Sequence, residues 1–256
     1  MLIMKKAYIR FYAELNNFLK IKHQYKYIRY NFNRGTTVKH ALENFNIPQT
    51  EIDLILSNGN SVTLDYKIKN KDTISIYPVF ESFDIKDISR VRKFSLRNVK
   101  FIADVHLKKL AKYLRFLGFD TLYSNSFNDK DIVKISTNEN RIILTCDIDL
   151  LNRRKVNHGY LVRSRNKYIQ IKEVIHRFQL ENSSNIFSRC LECNSSLKNI
   201  SKDTIKDRVP EHIYNNFVKF KICPSCNNIY WKGSHFDNLL STIEKIVPDF
   251  NRKNKY

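Results

Sequence analysis

Two short apolar segments, each running straight into aspartate, constrain this chain more than any other feature. Val99-Lys100-Phe101-Ile102-Ala103 reads as a buried strand with Asp104 directly after it. Arg141-Ile142-Ile143-Leu144-Thr145 reads as a second, followed by Cys146-Asp147-Ile148-Asp149. The chain between them is long enough for helix, strand and helix, so the two strands can lie parallel and adjacent. Open parallel sheets bind ligands just beyond the carboxyl ends of their strands. Carboxylates gathered there repel one another, by roughly 4 kcal/mol per pair at about 4 Å and an effective dielectric near 20. They tolerate that only with a cation or a proton shared among them, so a divalent metal site is the leading reading.

The surrounding residues, 97–182, alternate strand and helix. Leu107, Leu110, Ala111, Leu114 and Leu117 form one apolar stripe, and Gly118 supplies a C-terminal cap. Thr121-Leu122-Tyr123 is a short strand, and Asn128 can cap a helix from Asp129 to Thr137. A helix from Ile148 to Arg154, a strand Tyr160-Leu161-Val162 and an amphipathic helix Ile171 to Phe178 complete a small α/β domain with a largely parallel sheet.

Residues 1–85 follow a different rhythm. Ala7 to Tyr12 and Tyr25 to Phe32 are runs rich in aromatic and β-branched residues, as strands are. Thr36-Thr37 offers an N-cap for Val38 to Phe45, whose apolar positions share one helical face. Asn58-Gly59 is a strong hairpin signal between Ile55-Leu56-Ser57 and a return over Ser61 to Tyr66. Asp72 to Phe80 reads as a last strand. Two strands, a helix, a hairpin and a final strand are the pattern of a β-grasp, ubiquitin-like fold.

Glu181 to Phe187 is polar and reads as a linker into a third segment, 187–240. That segment holds Cys190-Leu-Glu-Cys193 and, after 29 residues, Cys223-Pro-Ser-Cys226. Two Cys-x-x-Cys knuckles in a reducing compartment signal a zinc ribbon whose four thiolates close a structural tetrahedral site. The competing reading is a pair of redox or disulfide motifs.

Composition bounds the setting. No apolar run approaches the ~20 residues needed to span a bilayer. Met1 to Lys22 is interrupted by Arg10, Glu14 and Asn16, so it does not read as a signal peptide, and a cytoplasmic location is expected. The formal net charge is +20, from 45 basic and 25 acidic residues. The densest patch runs through Arg153-Arg154-Lys155 and Arg163-Ser-Arg-Asn-Lys167, with Tyr160 and Tyr168 close by in sequence. Basic and aromatic side chains together suit single-stranded nucleic acid, by phosphate neutralisation and base stacking. The bland alternative is a solvated basic surface in a lysine-rich chain.

At this point all three segments resemble one family. Phe101-Ile-Ala-Asp-Val-His-Leu107, Leu110 to Thr121, Arg141-Ile-Ile-Leu-Thr-Cys-Asp147, His158-Gly-Tyr160, Arg189 to Cys193 and Tyr230-Trp-Lys-Gly-Ser-His235 resemble the Mut-seven C-terminal RNase domain family, a PIN-like fold with a C-terminal zinc ribbon. Phe11-Tyr-Ala-Glu-Leu15 and Tyr77-Pro-Val-Phe-Glu81 resemble the ubiquitin-like domain fused in front of bacterial members. The resemblance implies a metal-dependent ribonuclease. It matches Asp104 to the family's first metal-binding acid, Asp129 to the acid opening the second helix, and Asp147 to the acid after the Thr-x-Asp turn, with Asp149 a nearby fourth. Cys146 departs from the pattern, standing where an arginine is common.

Hydrolysis of a phosphodiester needs charge neutralisation, an activated water and a stabilised leaving oxygen, which two Mg²⁺ or Mn²⁺ ions can supply. Hard oxygen ligands suit such ions, hence aspartates. Asp104 and Asp147 are the expected direct ligands, with Asp129 and Asp149 binding a second ion or orienting the water. For Asp129 and Asp131 the competing role is helix N-terminal capping. Cys146 reads as a buried or semi-buried spectator thiol. His106 and Arg115 could reach the acidic site, though a structural turn for the one and solvent for the other are the plainer readings. His158 reads as a turn residue, Asp120 as a local cap or pair, and His235 as packing or touching RNA. The last strand of the ubiquitin-like domain runs on without Gly-Gly, so sulfur-carrier chemistry is not expected. That domain reads as an RNA- or partner-binding module, with a protein partner among its expected contacts. The function expected is hydrolysis of RNA, with a non-catalytic RNA- or ribosome-binding protein as the alternative.

Overall fold

In a computed structural model that describes residues 5–79, 90–91, 99–180 and 184–248, the chain divides into two units: 1–98 with 147–161, and 99–146 with 162–256. The first unit opens with β1 (Lys5–Phe11), which turns Ala7, Ile9 and Phe11 inward and Tyr8 outward. It pairs antiparallel with β2 (Ile28–Phe32), from Lys5 opposite Phe32 to Ile9 opposite Ile28. β2 is shorter than its aromatic run predicts. Tyr25 adopts φ +60, a left-handed conformation that breaks the extended backbone.

Helix α1 (Val38–Asn44) begins where expected, with the Thr37 side chain accepting from the His40 N–H, and buries Val38, Ala41 and Leu42. The hairpin follows. β3 (Ile52–Ser57) turns through Asn58 and Gly59, both at positive φ as a type I′ turn demands, into β4 (Asn60–Ser61). The return strand stops there instead of reaching Tyr66. The carbonyls of Leu64 and Tyr66 accept from the N–H groups of Lys39 and Val38, serving the otherwise unpaired start of α1 rather than a sheet ladder. Asp72 holds the next turn, accepting from Asn58, Tyr66 and the Lys69 N–H.

β5 (Thr73–Pro78) then enters parallel to β1 and antiparallel to β3, giving the order β2-β1-β5-β3-β4. The last strand thus ends at Pro78, and Phe80 and Glu81 lie outside the described residues. This is the β-grasp arrangement, with the helix over one face of the sheet. Its core is Ile9, Phe11, Leu15, Leu42, Ile55, Ile74 and Ile76, each fully buried. Each such side chain contributes about 1.5–3 kcal/mol of transfer free energy.

The second unit is built on β6 (Lys100–Ala103), buried at Phe101, Ile102 and Ala103. Helix α2 (Lys108–Phe116) carries the expected apolar stripe, and Gly118 at φ +96 ends it. A Cβ at Gly118 would also lie 2.2 Å from the Asn185 carbonyl, so glycine is demanded twice over. β7 (Asp120–Leu122) lies parallel to one side of β6. Helix α3 (Asp129–Glu139) starts in a capping box in which Asn128 and Asp131 satisfy each other's backbone N–H. β8 (Ile142–Thr145) lies parallel to the other side of β6, with Ala103 opposite Leu144.

Residues 147–161 belong with the first unit. They form helix α4 (Ile148–Leu151) and strand β9 (Gly159–Leu161), whose Leu161 N–H donates to the buried Glu51 carboxylate at 3.2 Å. α4 ends at Leu151 rather than Arg154, because Asn152 to Lys155 offers no apolar side chain to bury.

The chain returns to the second unit with α5 (Lys167–Arg177), capped by Asn166 and starting a turn before the expected Ile171. Of the expected linker, 181–183 lies outside the described residues, and 184–187 is packed structure. Ser184 and Phe187 are buried, and the N–H groups of Asn185 and Phe187 donate to the carbonyls of Leu117 and Phe116. β10 (Lys198–Ile200), the short helix α6 (Glu211–Asn216), β11 (Phe220–Ile222) and β12 (Ile229–Trp231) follow, the strands forming an antiparallel sheet in the order β10-β11-β12. Helix α7 (Ser234–Ile246) closes the unit, with Phe236 edge-on to Phe116 and Phe187 at ring separations of 5.3 and 5.2 Å.

Candidate functional site

The cysteines meet as their spacing predicts. Cys190, Cys193, Cys223 and Cys226 place their sulfurs within 4.8 Å of one another. Cys190 lies 3.5 Å from Cys226 and Cys193 lies 3.3 Å from Cys223, far beyond disulfide length. A tetrahedron with Zn–S bonds of about 2.3 Å has edges of about 3.8 Å, so the cluster fits that cation closely. Each knuckle folds so that its second cysteine's N–H points at the first sulfur, Cys193 to Cys190 at 3.4 Å and Cys226 to Cys223 at 3.5 Å. Burial works to raise Cys193, but hydrogen bonds from Ser195 and the neighbouring thiols bring it to about 6. Burial and those neighbours push Cys226 up to about 12. The four cysteines could hold a metal ion such as zinc.

Hydrogen bonds and ion pairs fasten this centre to the α/β sheet. Arg115 is 4% exposed, so solvent is not its place. Its Nε donates to the Thr121 carbonyl at 2.8 Å, and its Nη1 donates to the carbonyls of Leu191 and Glu192, inside the first knuckle, at 3.0 and 2.7 Å. Burial lowers its guanidinium pKa, with the charges of Cys190 and Cys193 opposing. Asp120 pairs far from its own turn: its Oδ1 accepts from Arg141 at 2.6 Å and from Asn194 at 2.8 Å, and Arg189 stands 3.5 Å from Oδ2. Burial works to raise the Asp120 carboxyl, but those hydrogen bonds and the Arg141 and Arg189 charges hold it below the usual carboxylate range. Asn194 also accepts the Thr121 N–H, tying the knuckle to β7.

The acids are placed less tightly. Asp104 follows the central strand β6 and is 7% exposed. One carboxylate oxygen accepts from the Val105 N–H, capping a single 3₁₀ turn, and the other accepts from the Thr145 hydroxyl at 2.9 Å. An ionised carboxylate offers about four lone-pair sites, so this pair of donors leaves room for a cation. Asp147 stands two residues beyond the end of the neighbouring strand β8; it is exposed and caps α4, accepting from the Asp149 N–H at 2.8 Å. Asp149 is exposed as well. Asp129 occupies the first position of α3, half-buried, and Asp131 is committed to the capping box. Among the described residues, the cysteines are the one group of three or more ligand atoms brought this close together.

Cys146 is exposed rather than buried, yet partial desolvation of its sulfur and the charges of Asp104 and Glu173 push its thiol up, against Arg165. A raised thiol is a poor nucleophile, which fits a spectator role. Three residues near this end of the sheet escaped the sequence reading. Thr145 fixes Asp104, and Tyr123 lies close enough that burial raises its phenol while Asp104 adds to the rise and Arg115 opposes it. Glu173 on α5 accepts from the Arg163 and Ser164 N–H groups and reaches Cys146 electrostatically. The Thr145-Cys146-Asp147 run carried a signal for the first; nothing local marks the other two. Of the tyrosines expected to flank the basic patch, Tyr160 is 3% exposed and unable to stack on a ligand, whereas Tyr168 is open with Lys167 Nζ 4.6 Å from its ring centre. His106 and His235 are exposed, and His158 is half-buried.

No helix of the described residues is long and apolar enough to cross a membrane. Among curated proteins none matches the chain. Of solved structures, L-proline dehydrogenase from P. horikoshii aligns at 11% identity and TM-score 0.20, over 57% of this chain and 27% of that one, a likeness too slight to carry any argument. Two family models match: one described as Mut7-C ubiquitin, over residues 4–84, and one described as Mut7-C RNAse domain, over 99–243. Because the second match spans more than half of the chain, the chain belongs to the Mut7-C RNAse domain family, with the Mut7-C ubiquitin domain in front.

Proposed function

We propose that the protein is a metal-dependent ribonuclease whose reaction centre lies at Asp104. The observation that supports this best is a buried carboxylate held at the carboxyl end of the central parallel strand by Thr145 and the Val105 N–H. Such a group is oriented in advance and keeps lone pairs for a ligand. Asp104 and Asp147 would hold Mg²⁺ or Mn²⁺, which supplies charge neutralisation at the phosphate and a more acidic bound water. Thr145 keeps Asp104 in one rotamer, and Asp129 and Asp149 would bind a second ion or orient the water. Arg163, Arg165 and Tyr168 draw in a single strand of RNA by charge and stacking. The cysteines would hold zinc in a structural role, as thiolates do in a reducing compartment such as the cytoplasm. The ubiquitin-like unit binds RNA or a protein partner.

The test is cleavage of end-labelled single-stranded RNA and DNA with Mn²⁺ or Mg²⁺, compared with EDTA and with Asp104→Asn. RNA cutting that needs the metal and vanishes in the variant is the expected result. A second reading, a non-catalytic RNA-binding protein, is favoured by one observation: the described residues gather no three carboxylates. Binding without cutting under every metal would establish that reading and overturn the first.

A further inference from the structure

Helix α2 carries a second stripe, whose first three members lie outside the core and whose last, Phe116, is buried at its base. Lys109, Lys112, Tyr113 and Phe116 follow the i, i+3, i+4, i+7 spacing of one helical face, and all four line a cleft of about 830 Å³ within the second unit. Its far side comes from the ribbon and α7, including Trp231, His235 and Phe217. The volume falls within the range of small-ligand sites, about 300–1,000 Å³. None of this overlaps Asp104, Asp129, Asp147 or Asp149.

The lining has a definite chemistry. Of its aromatic members, Tyr113 and Trp231 are half-buried and Phe116 and Phe187 are buried. Gly233 allows the indole its position, since a Cβ there would lie 2.7 Å from the Trp231 Nε1. The charges are Lys109, Lys112 and Lys167 against a single acid, Glu192, with His212 and His235 alongside. The N-terminus of α7 opens on the same space through Gly233 and Ser234, and no side chain caps it. Thirteen residues of helix therefore direct their positive end at the cleft. Flat aromatic surface ringed by cations and a helix N-terminus is complementary to a nucleotide: a π-face for the base and positive charge for the phosphate. An amphipathic peptide would be met by an apolar groove without this excess of positive charge.

We propose that this cleft is a nucleotide subsite for single-stranded RNA, with bases stacked on Trp231 and Tyr113 and phosphates on Lys109, Lys112 and the start of α7. The inference rests on the reading of the protein as acting on RNA, and it places part of the strand on the ribbon side of α2 rather than at Asp104 alone. Lys109 and Lys112 project from the helix that begins four residues after Asp104, so one strand can engage both.

Trp231 is the only tryptophan in the chain, so its fluorescence reports this cleft alone. The full-length Asp104→Asn protein, which keeps substrate intact, is titrated with oligoadenylate and oligouridylate RNA, with the matching DNA and with an oligoglutamate peptide. Saturable quenching by RNA is expected. Lys109→Glu with Lys112→Glu, both at exposed positions, should weaken binding at least tenfold and flatten the salt slope by about 1.4, as loss of two phosphate contacts requires. Tyr113→Ala should weaken it roughly tenfold without changing that slope. In the active protein the lysine pair should raise KM and leave kcat. RNA binding or cleavage with unmoved fluorescence and an unchanged lysine double variant overturns the subsite and leaves the nuclease reading standing. Quenching by oligoglutamate but not RNA makes the cleft a peptide site and overturns it too. RNA neither bound nor cut overturns both.

Discussion

The cysteine centre and the acidic centre are both candidate metal sites, yet they are built in opposite ways. Each cysteine pair sits on a tight turn whose own backbone N–H groups aim at sulfur, and the β10-β11-β12 sheet has only to bring two such turns together. The result is a closed set of four sulfurs. The aspartates sit on separate elements, at the end of β6, at the start of α3 and ahead of α4, and Asp104 and Asp147 each already accept from a nearby backbone N–H. Within the second unit, the parallel pairing of β6 with β8 brings Thr145 to Asp104. A structural site is thus assembled from local geometry, whereas an open site is assembled from topology and left room for substrate.

Four expectations test that contrast, in falling order of effect. Cys223→Ser, or removal of metal by a strong chelator, should abolish equimolar zinc by elemental analysis and open the ribbon to proteolysis. Structural zinc contributes on the order of 10 kcal/mol in small domains, so no other single change should match it. Asp104→Asn, by contrast, should keep its zinc and most of its stability while losing cleavage. Retained ribbon structure in Cys223→Ser would break the comparison.

Gly118→Val comes next. The residue combines positive φ with the close Asn185 carbonyl, so the loss should be about 3 kcal/mol or more in denaturant unfolding.

Asp120→Ala should cost about 3 kcal/mol by leaving Arg141, 6% exposed at its side chain, without its closest partner. The pH dependence has a definite sign. Because the folded carboxyl is held below the ordinary value near about 3.9, its stabilising share is complete above that pH and is lost as pH falls through the folded value. Asp120→Asn should flatten acid unfolding below about pH 4; an unaltered acid limb would show that the pair adds nothing.

Thr145→Val should have the smallest effect on folding, about 1 kcal/mol for one hydrogen bond. It should still raise the metal concentration for half-maximal cleavage by about tenfold, as loss of a ligand-orienting partner does. Unchanged metal dependence would separate Thr145 from the reaction.

Much of this was legible residue by residue. The Asn128 cap, the Gly118 stop, the Asn58-Gly59 turn and the Thr37 cap all lie where the chain predicts, because each depends on neighbours within four positions. The misplacements share a cause. The strand expected through Tyr66 gives way because its carbonyls are taken by α1, and the residues 184–187, polar on paper, are pinned to the end of α2. Tyr160 was grouped with the basic patch by sequence proximity, but strand β9 buries it. In each case a partner distant in sequence outcompeted the local pattern.

What the sequence by itself determined is the set of elements and the two knuckles: apolar periodicity, caps and Cys-x-x-Cys spacing act over a few residues and need nothing else. What only the tertiary structure decided is the company each charged group keeps. Arg115 reaches the carbonyls of Leu191 and Glu192, Asp120 finds Arg141 and Asn194, and Thr145 takes hold of Asp104 across two parallel strands. An arginine bound for solvent and one bound for a buried carbonyl look alike in sequence, because burial is set by packing among residues tens of positions apart. The same packing opened the cleft beside α2, whose lysines and tyrosine form a surface only once the ribbon is set against them.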